Sequence, residues 1–250
     1  MTKSEKTAAD SAEDYRASHL KRGDSYDATL AAGPFDAYMA RIEDEHLRRI
    51  VPVLFAQARP RYLDFACGTG RIISTVAPMC AEAVGVDISP SMLEQARPKT
   101  PTAQFVQADL TRADVDLGQF DLVTSFRFFG NAQHDLRLAV MKTLHRVLRS
   151  GGHLIINSHR NPHSLATLLH AATGGSFGGM DLHYFKLKSL LRDCGFAVAQ
   201  VYPIGAWMYR YSIQGQQHEP QRAAQLERRF SSPIFAPVSP DVVVVARKIG

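Results

Sequence analysis

The stretch Arg61-Tyr-Leu-Asp-Phe-Ala-Cys-Gly-Thr-Gly-Arg71 decides the fold. Its first half, from Tyr62 to Ala66, is apolar except for Asp64, which is typical of a short buried strand. Its second half is a tight turn, in which Gly68 and Gly70 adopt positive φ readily because they have no Cβ. Apolar residues at helical spacing follow. A strand, a glycine turn and a helix in this order bring the backbone close to a ligand at the helix N-terminus.

The composition is that of a soluble globular protein. The chain has 250 residues, of which 45% are hydrophobic and 21% charged, enough for one domain with decorations. It has no apolar run of about 18 residues and no secretory h-region at the N-terminus, so we expect a cytoplasmic protein without a membrane span. The formal charge of +5 comes from scattered basic residues, which favours a solvated surface over a nucleic-acid groove.

Strands and helices alternate along the rest of the chain. After the first strand, we predict strands at residues 83–88, 103–108, 120–126, 153–157, 197–202 and 242–246. Ser89 followed by Pro90 predicts a helix start, and a long amphipathic helix spans 134–148, with the glycines of 150–152 ending it. Near-continuous apolar strands predict a parallel sheet with helices on both faces, an α/β fold.

The domain organisation follows from changes in composition. Residues 1–22 are polar and mixed in charge, which predicts a flexible tail. Residues 23–58 carry aromatic residues and then apolar residues at helical intervals, which predicts an N-terminal helical cap or lid. The core then spans 59–250. Within it, residues 207–236 are predicted to form an inserted cap, because this segment is too long for a plain hairpin.

Three acids end the first three predicted strands: Asp64, Asp87 and Asp109. Ligands of open parallel sheets bind at the carboxyl ends of the strands, so the acids should face one crevice. An acid at Asp87 suits the hydroxyls of a ribose, and one at Asp109 suits an exocyclic amine such as that of adenine. Met92 and Leu110 would sandwich a flat base. Each acid can also be an ordinary turn or capping residue, and Met92 can be simple core.

Five segments resemble the class I S-adenosylmethionine-dependent methyltransferases, in the order and spacing of that family. They are Leu63-Asp-Phe-Ala-Cys-Gly-Thr-Gly70, Gly85-Val-Asp-Ile-Ser-Pro-Ser-Met-Leu93, Gln107-Ala-Asp-Leu110, Phe120-Asp-Leu-Val-Thr-Ser125 and Leu148-Arg-Ser-Gly-Gly-His-Leu154. The resemblance covers about residues 60 to 160. It implies a Rossmann-like, seven-stranded, mostly parallel sheet with one antiparallel strand near the C-terminus. It also implies S-adenosylmethionine as cofactor and S-adenosylhomocysteine as product.

The resemblance further implies roles for individual residues. Asp87 would bind the ribose hydroxyls and Asp109 the adenine amine, while Asp64 and the turn through Gly70 would hold the methionyl part. The family often has glycine where this chain has Ala66, which leaves less room for the backbone to approach the ligand. The predicted cofactor-binding residues are Asp64, Ala66, Gly68, Gly70, Arg71, Asp87, Ile88, Met92, Asp109, Leu110 and Ser125.

A nicotinamide-dependent dehydrogenase is the main rival interpretation, because Asp87 could bind the ribose of that cofactor too. Dehydrogenases of this kind carry G-x-G-x-x-G, whereas here Gly68-Thr-Gly70 is followed by Arg71, Ile72 and Ile73. The third glycine is missing, and the rival gives no reason for Asp109.

The segment Ser125-Phe-Arg-Phe-Phe-Gly-Asn131 indicates the acceptor class. It lacks the Asn/Asp-Pro-Pro-Tyr/Phe pattern of enzymes that methylate the amino groups of adenine or glutamine. It also lacks the Pro-Cys pair of cytosine C5 methylation and the acidic cluster of enzymes in which a metal holds a catechol. Its aromatic residues suit a small or medium organic acceptor in a metal-independent enzyme. The predicted substrate-binding residues are Tyr26, Phe126, Arg127, Phe129, Asn131 and Trp207.

A hydroxyl acceptor requires a general base, whereas a neutral amine does not. The candidates are His134, His159 and Tyr184, with His183 beside them; each can also be a surface or structural residue. His134 would start a helix, where the macrodipole disfavours the imidazolium.

We predict O-methylation of a natural-product or sugar-like small molecule by a monomer or homodimer. N-methylation, a cofactor-binding protein of this fold that does not methylate, and an RNA methyltransferase remain alternatives.

Overall fold

A seven-stranded sheet runs through the computed structural model, which describes residues 34–112, 115–172, 182–206 and 220–250. The spatial order is β3-β2-β1-β4-β5-β7-β6, and β7 alone runs antiparallel to its neighbours. The predicted Rossmann-like fold is therefore confirmed, including the antiparallel strand near the C-terminus. The strands are β1 Arg61–Phe65, β2 Glu82–Asp87, β3 Gln104–Gln107, β4 Phe120–Ser125, β5 Leu148–Ser158, β6 Phe196–Ile204 and β7 Asp241–Lys248.

Helices cover both faces of the sheet, each with its own apolar core. The first face carries α4 and α6, whose buried leucines pack on alternate residues of β1, β4 and β5. The second face carries α1, α2, α3 and α7. The helices are α1 Pro34–Leu54, α2 Arg71–Val76, α3 Pro90–Ala96, α4 His134–Val147, α5 Leu165–Ala172, α6 Tyr184–Asp193 and α7 Pro220–Arg229, with 3₁₀ turns at Ala77–Met79, Arg97–Lys99 and Pro233–Val238.

The start of α3 follows the predicted capping chemistry. The Ser89 hydroxyl accepts a hydrogen bond from the Met92 N–H at 3.4 Å, and Pro90 occupies the first helical position. Serine at the N-cap satisfies an orphan amide, and proline lacks the N–H that would be unsatisfied there. The predicted start of this helix, with its cap two residues after Asp87, is confirmed.

The end of α4 differs from the prediction, which placed helix through residue 148 and a glycine stop at 150–152. The helix ends at Val147, and Leu148 is already extended with φ −82° and ψ 139°. Gly151 takes φ 74° inside β5, and the register between β4 and β5 shifts at Phe120. The glycines thus form an irregularity within the strand, and the prediction of a helix C-cap was wrong.

The predicted caps fall partly outside the described residues, as does the whole of the tail. Helix α1 buries Met39, Leu47 and Val51 in the same apolar core as residues of β1 and β4. It is therefore packed on the sheet, although the division into tail, cap and core stays a prediction. Among the described helices, none combines the length and apolar character needed to span a membrane.

Candidate active site

An open cleft lies at the carboxyl ends of β1, β2 and β4, where the strand order reverses between β1 and β4. Its empty space, including the open mouth, is about 1010 Å³. The chain leaves these two strands towards opposite faces of the sheet, so a crevice opens between the strand ends. The turn after β1 and the segments after β2, β3 and β4 all contribute to its lining.

The glycine turn is fastened to the second strand by Asp87. The Gly68 N–H donates to Asp87 Oδ2 at 2.8 Å, and Gly70 closes the turn on the Cys67 carbonyl at 3.0 Å. Gly68 has φ 53°, and a Cβ added there would meet no described atom within 4 Å, so this residue presents its backbone to open space. Gly70 has φ 83°, and a Cβ there would lie 2.9 Å from Ala96 Cβ, so this glycine permits close packing against α3.

Asp64 is a buried acid at the base of the cleft, with 1% of its surface exposed. Its Oδ1 accepts a hydrogen bond from the Thr124 hydroxyl at 2.6 Å, and Thr124 in turn accepts one from Tyr62. Within the described part of the chain, Oδ2 has no hydrogen-bond partner. Burial raises the pKa of Asp64 to about 7, against the opposing effects of the Thr124 hydroxyl, the Arg71 guanidinium and the nearby Ile73 N–H, which does not reach Oδ2 with hydrogen-bond geometry.

Asp87 and Asp109 are held in fixed orientations by the turns that follow their strands. Asp87 Oδ1 accepts the Ser89 N–H at 2.9 Å. Asp109 Oδ1 accepts both the N–H and the hydroxyl of Thr111, at 3.0 and 2.6 Å. These local bonds set the side-chain rotamers before any ligand arrives. Both acids line the cleft.

The acidic residues of the cleft fit S-adenosylmethionine. Asp64 Oδ2 is a buried acceptor without a partner in the described ranges, and such an atom is costly unless a donor reaches it. An α-ammonium group is a suitable donor. Asp87, Asp109 and Met92 line the same cleft, and the predicted roles of the two acids toward ribose hydroxyls and an exocyclic amine stay predictions. The acid at Asp64 would repel the pyrophosphate of a nicotinamide dinucleotide.

Aromatic and aliphatic side chains also line the cleft. They belong to Phe126, Phe128, Leu136 and Val140, and Arg127 lines the cleft as well. Phe128 packs edge-to-face against Phe65 and Phe129, with ring centroids 5.5 and 5.2 Å apart. Arg127 has φ 58°, and its N–H donates to Asn157 Oδ1 at 2.5 Å.

The candidate bases lie outside this lining. His134 is exposed at the first position of α4, and His159 contacts Asn131 Oδ1 through Nε2 at 3.2 Å. Tyr184 is half-buried at the start of α6, where burial raises its pKa. His183 caps the same helix, since its Nδ1 accepts the Lys186 N–H at 3.3 Å. A role as base stays a prediction for each.

The remaining predicted residues divide into two groups. Asp64, Ala66, Gly68, Arg71, Asp87, Ile88, Met92, Asp109, Leu110, Phe126 and Arg127 line the cleft together. Gly70, Ser125, Phe129 and Asn131 lie outside its lining, and Tyr26 and Trp207 lie outside the described residues. Among lining residues the sequence reasoning overlooked, Thr111 had a signal, since a threonine two residues after Asp109 is typical of a local turn. Leu136 and Val140 also had one, since they share a helix face.

Comparison with known proteins supports the same conclusion. A family model described as "Methyltransferase domain" matches residues 63–152. An uncharacterised methyltransferase of Synechocystis is 31% identical over 148 residues, which cover 56% of this chain and 68% of that protein. The chain belongs to the S-adenosylmethionine-dependent methyltransferase family. The predicted family and its cofactor, S-adenosylmethionine, are thereby confirmed.

Other relatives of this member of the family match more narrowly. A demethylmenaquinone methyltransferase of Chlorobaculum tepidum is 34% identical over 100 residues, which are 40% of each protein. The chain spans two fifths of the length of this relative and about half of the length of two further curated relatives.

Two solved structures resemble nearly the whole chain and show its fold. Magnesium protoporphyrin IX methyltransferase from Synechocystis, with bound S-adenosylmethionine, has a TM-score of 0.61 at 14% identity over 94% of this chain and 97% of that one. The N-methyltransferase NodS from Bradyrhizobium japonicum, with S-adenosylhomocysteine, has a TM-score of 0.58 at 14% identity, over 95% and 98% of the two chains.

Proposed function

We propose that the protein transfers a methyl group from S-adenosylmethionine to a small organic acceptor in the cytoplasm, at an oxygen atom. One observation carries the proposal: a single cleft is lined both by carboxylates and by phenylalanine side chains. A polar nucleoside suits the carboxylates, and an apolar acceptor suits the phenylalanines. The predicted natural-product class is supported better than the sugar-like class, because phenylalanine faces favour flat apolar rings.

The acidic residues of the cleft would hold the cofactor. Asp64 would accept from the α-ammonium group, Asp87 from the ribose hydroxyls and Asp109 from the adenine amine. Met92 and Leu110 would contact the base. When bound, S-adenosylmethionine supplies a methyl group activated by a positively charged sulfur.

The phenylalanine side chains would form a wall that binds and orients the acceptor. Phe126 and Phe128 line the cleft. There they would exclude water and restrict the acceptor to one approach, and alignment of this kind supplies much of a methyl transfer's acceleration. Arg127 brings positive charge to the same wall. A carboxylate or an acidic phenol suits this arrangement, because its oxygen is already anionic near neutral pH. No residue that lines the cleft then has to accept a proton from the acceptor. N-methylation is the alternative, and NodS is one N-methyltransferase of the same fold.

A panel of paired acceptors tests the proposal. The protein is incubated with methyl-labelled S-adenosylmethionine and with a phenol, a benzoate and an aniline that share one ring system, and labelled product is counted. We expect label in an oxygen acceptor, and loss of labelling in Asp87→Asn because the ribose acceptor is weakened. Label in the aniline alone would contradict O-methylation and support the N-methylation alternative.

A cofactor-binding protein that catalyses another reaction remains a second candidate, because the fold also occurs in the [4+2]-cyclase SpnF, with a TM-score of 0.55 at 19% identity over 82% of each chain. This candidate predicts binding of S-adenosylhomocysteine without methyl transfer to any acceptor in a metabolite extract. Formation of a methylated product would exclude it as the main activity.

A further inference from the structure

Glu43 is a buried carboxylate on α1, with 1% of its surface exposed, and it was not among the predicted site residues. Arg71 donates to its Oε2 at 2.6 Å, and the Asn157 side-chain amide donates to its Oε1 at 2.6 Å. A buried charge is tolerated only when it is paired and hydrogen-bonded, and here both carboxylate oxygens have a partner. The two partners come from distant elements, since Arg71 starts α2 and Asn157 lies near the end of β5.

Both branches of this network reach the cleft. Arg71 itself lines the cleft, directly after the glycine turn. Asn157 uses its Oδ1 to accept the N–H of Arg127, which also lines the cleft and has φ 58°. A residue other than glycine rarely adopts this left-handed conformation, and it persists only where surrounding contacts maintain it. Glu43 therefore contacts Arg71 directly and reaches the backbone of Arg127 through Asn157, and both arginines line the cleft.

We propose that Glu43 is a positioning residue for the amino-acid end of the cofactor, acting by holding the Arg71 guanidinium beside Asp64. The inference rests on the proposed function. Arg71 and Asp64 together offer a cation and an anion, which complement the carboxylate and the ammonium of an amino acid. The Arg71 charge interacts with Asp64, because it lowers the pKa of that acid and so opposes the effect of burial. Glu43 fixes the guanidinium that would otherwise move on a flexible side chain.

A purely structural role is the competing explanation, in which Glu43 only ties α1 to the sheet. The two roles differ in which part of the ligand they affect. S-adenosylhomocysteine has the amino-acid part, whereas 5′-deoxy-5′-methylthioadenosine has the same adenosine and sulfur without it. If Glu43 positions Arg71, its loss weakens the binding of S-adenosylhomocysteine only. If its loss loosens the whole fold, the binding of both ligands weakens.

The test measures the affinity of both ligands by calorimetry for the full chain and three variants. Glu43→Gln removes the charge that pairs with Arg71 and keeps an acceptor for Asn157. Glu43→Asp keeps the charge and withdraws it by one methylene, and it carries the test if the Gln variant does not fold. Asp44→Asn is the matched control, because the neighbouring Asp44 also accepts from an arginine, Arg48, and from Thr75 of α2, yet neither residue lines the cleft.

We expect Glu43→Gln to weaken S-adenosylhomocysteine by about tenfold or more, the strength of one charge-assisted hydrogen bond. Methylthioadenosine should change by less than about twofold, and Asp44→Asn should leave both affinities within that range. Equal weakening of both ligands, or unchanged affinity for S-adenosylhomocysteine, would overturn the role of Glu43 and leave the proposed function intact. Absence of any binding by the wild-type protein would overturn the cofactor assignment as well.

Discussion

Ala66 occupies a backbone position that suits glycine, with φ 55° at the start of the turn after β1. The left-handed conformation costs an alanine about 1–2 kcal/mol, because its Cβ crowds the following carbonyl oxygen. Glycine relieves this cost but gains about 0.4–1 kcal/mol of entropy in the unfolded chain. We therefore expect Ala66→Gly to raise the free energy of unfolding by about 0.5–1 kcal/mol, measured by urea denaturation.

Ala77 provides the control for this prediction, because it has an ordinary φ of −52°. Ala77→Gly should lower the free energy of unfolding by about 1–2 kcal/mol, since glycine there relieves no strain, adds unfolded-state entropy and removes a methyl group buried in the second core. Equal destabilisation by both substitutions would show that the conformation of Ala66 is not strained.

Residues with local partners could be predicted from the sequence, and residues with distant partners could not. The Ser89 cap is made to Met92, three positions away, and the spacing revealed it. Glu43 contacts Asn157 across 114 positions, and only the folded chain brings these residues together. The acids at or just beyond the carboxyl ends of β1 to β3 could be predicted to lie together, because strand ends of a parallel sheet share one edge.

Helices α1 and α7, which lie in the two predicted cap segments, are joined by one hydrogen bond in the described part of the chain. The Tyr38 hydroxyl donates to Glu227 Oε2 at 2.6 Å, and the Gly205 N–H donates to the other oxygen at 3.0 Å. Burial raises the pKa of Glu227, while these two donors act to lower it. We expect Tyr38→Phe to lower the free energy of unfolding by about 1–2 kcal/mol, because a partly buried carboxylate loses a donor.

Hydrogen exchange can locate this effect, since protection of α7 should fall more than protection of α4. Tyr202→Phe is the matched control, because its hydroxyl donates to the exposed Gln200 side chain. That change should cost less than about 0.5 kcal/mol. Equal losses in the two variants would mean that the bond between α1 and α7 adds nothing specific. Tyr38 and Glu227 are 189 positions apart, so the spacing of residues along the sequence could not predict that the two segments pair.

The pH dependence of stability for the whole molecule combines two buried groups with opposite effects. Burial raises the pKa of Asp64 from 3.8 to about 7, so its contribution is full below pH 3.8 and is lost as the pH rises through 7. Burial lowers the pKa of His46 from 6.5 to about 4, so its contribution is full above pH 6.5 and is lost as the pH falls through 4. Between about pH 4 and pH 7, the changes in the two contributions to stability largely cancel.

Removing either group should expose the effect of the other. On lowering the pH from about 7 to about 4.5, Asp64 adds about 3 kcal/mol to the free energy of unfolding and His46 removes about 2 kcal/mol. Relative to the wild type, His46→Phe should therefore gain about 2 kcal/mol over this range, while Asp64→Asn should lose about 3 kcal/mol. Phenylalanine keeps a ring against Tyr202, whose centroid lies 4.9 Å from that of His46. Urea denaturation at both pH values measures the two differences, and all other titrating groups cancel in them. Parallel curves for the three proteins would show that neither pKa is shifted as described. Opposite changes in the two variants would confirm both shifts, the raised pKa of Asp64 and the lowered pKa of His46.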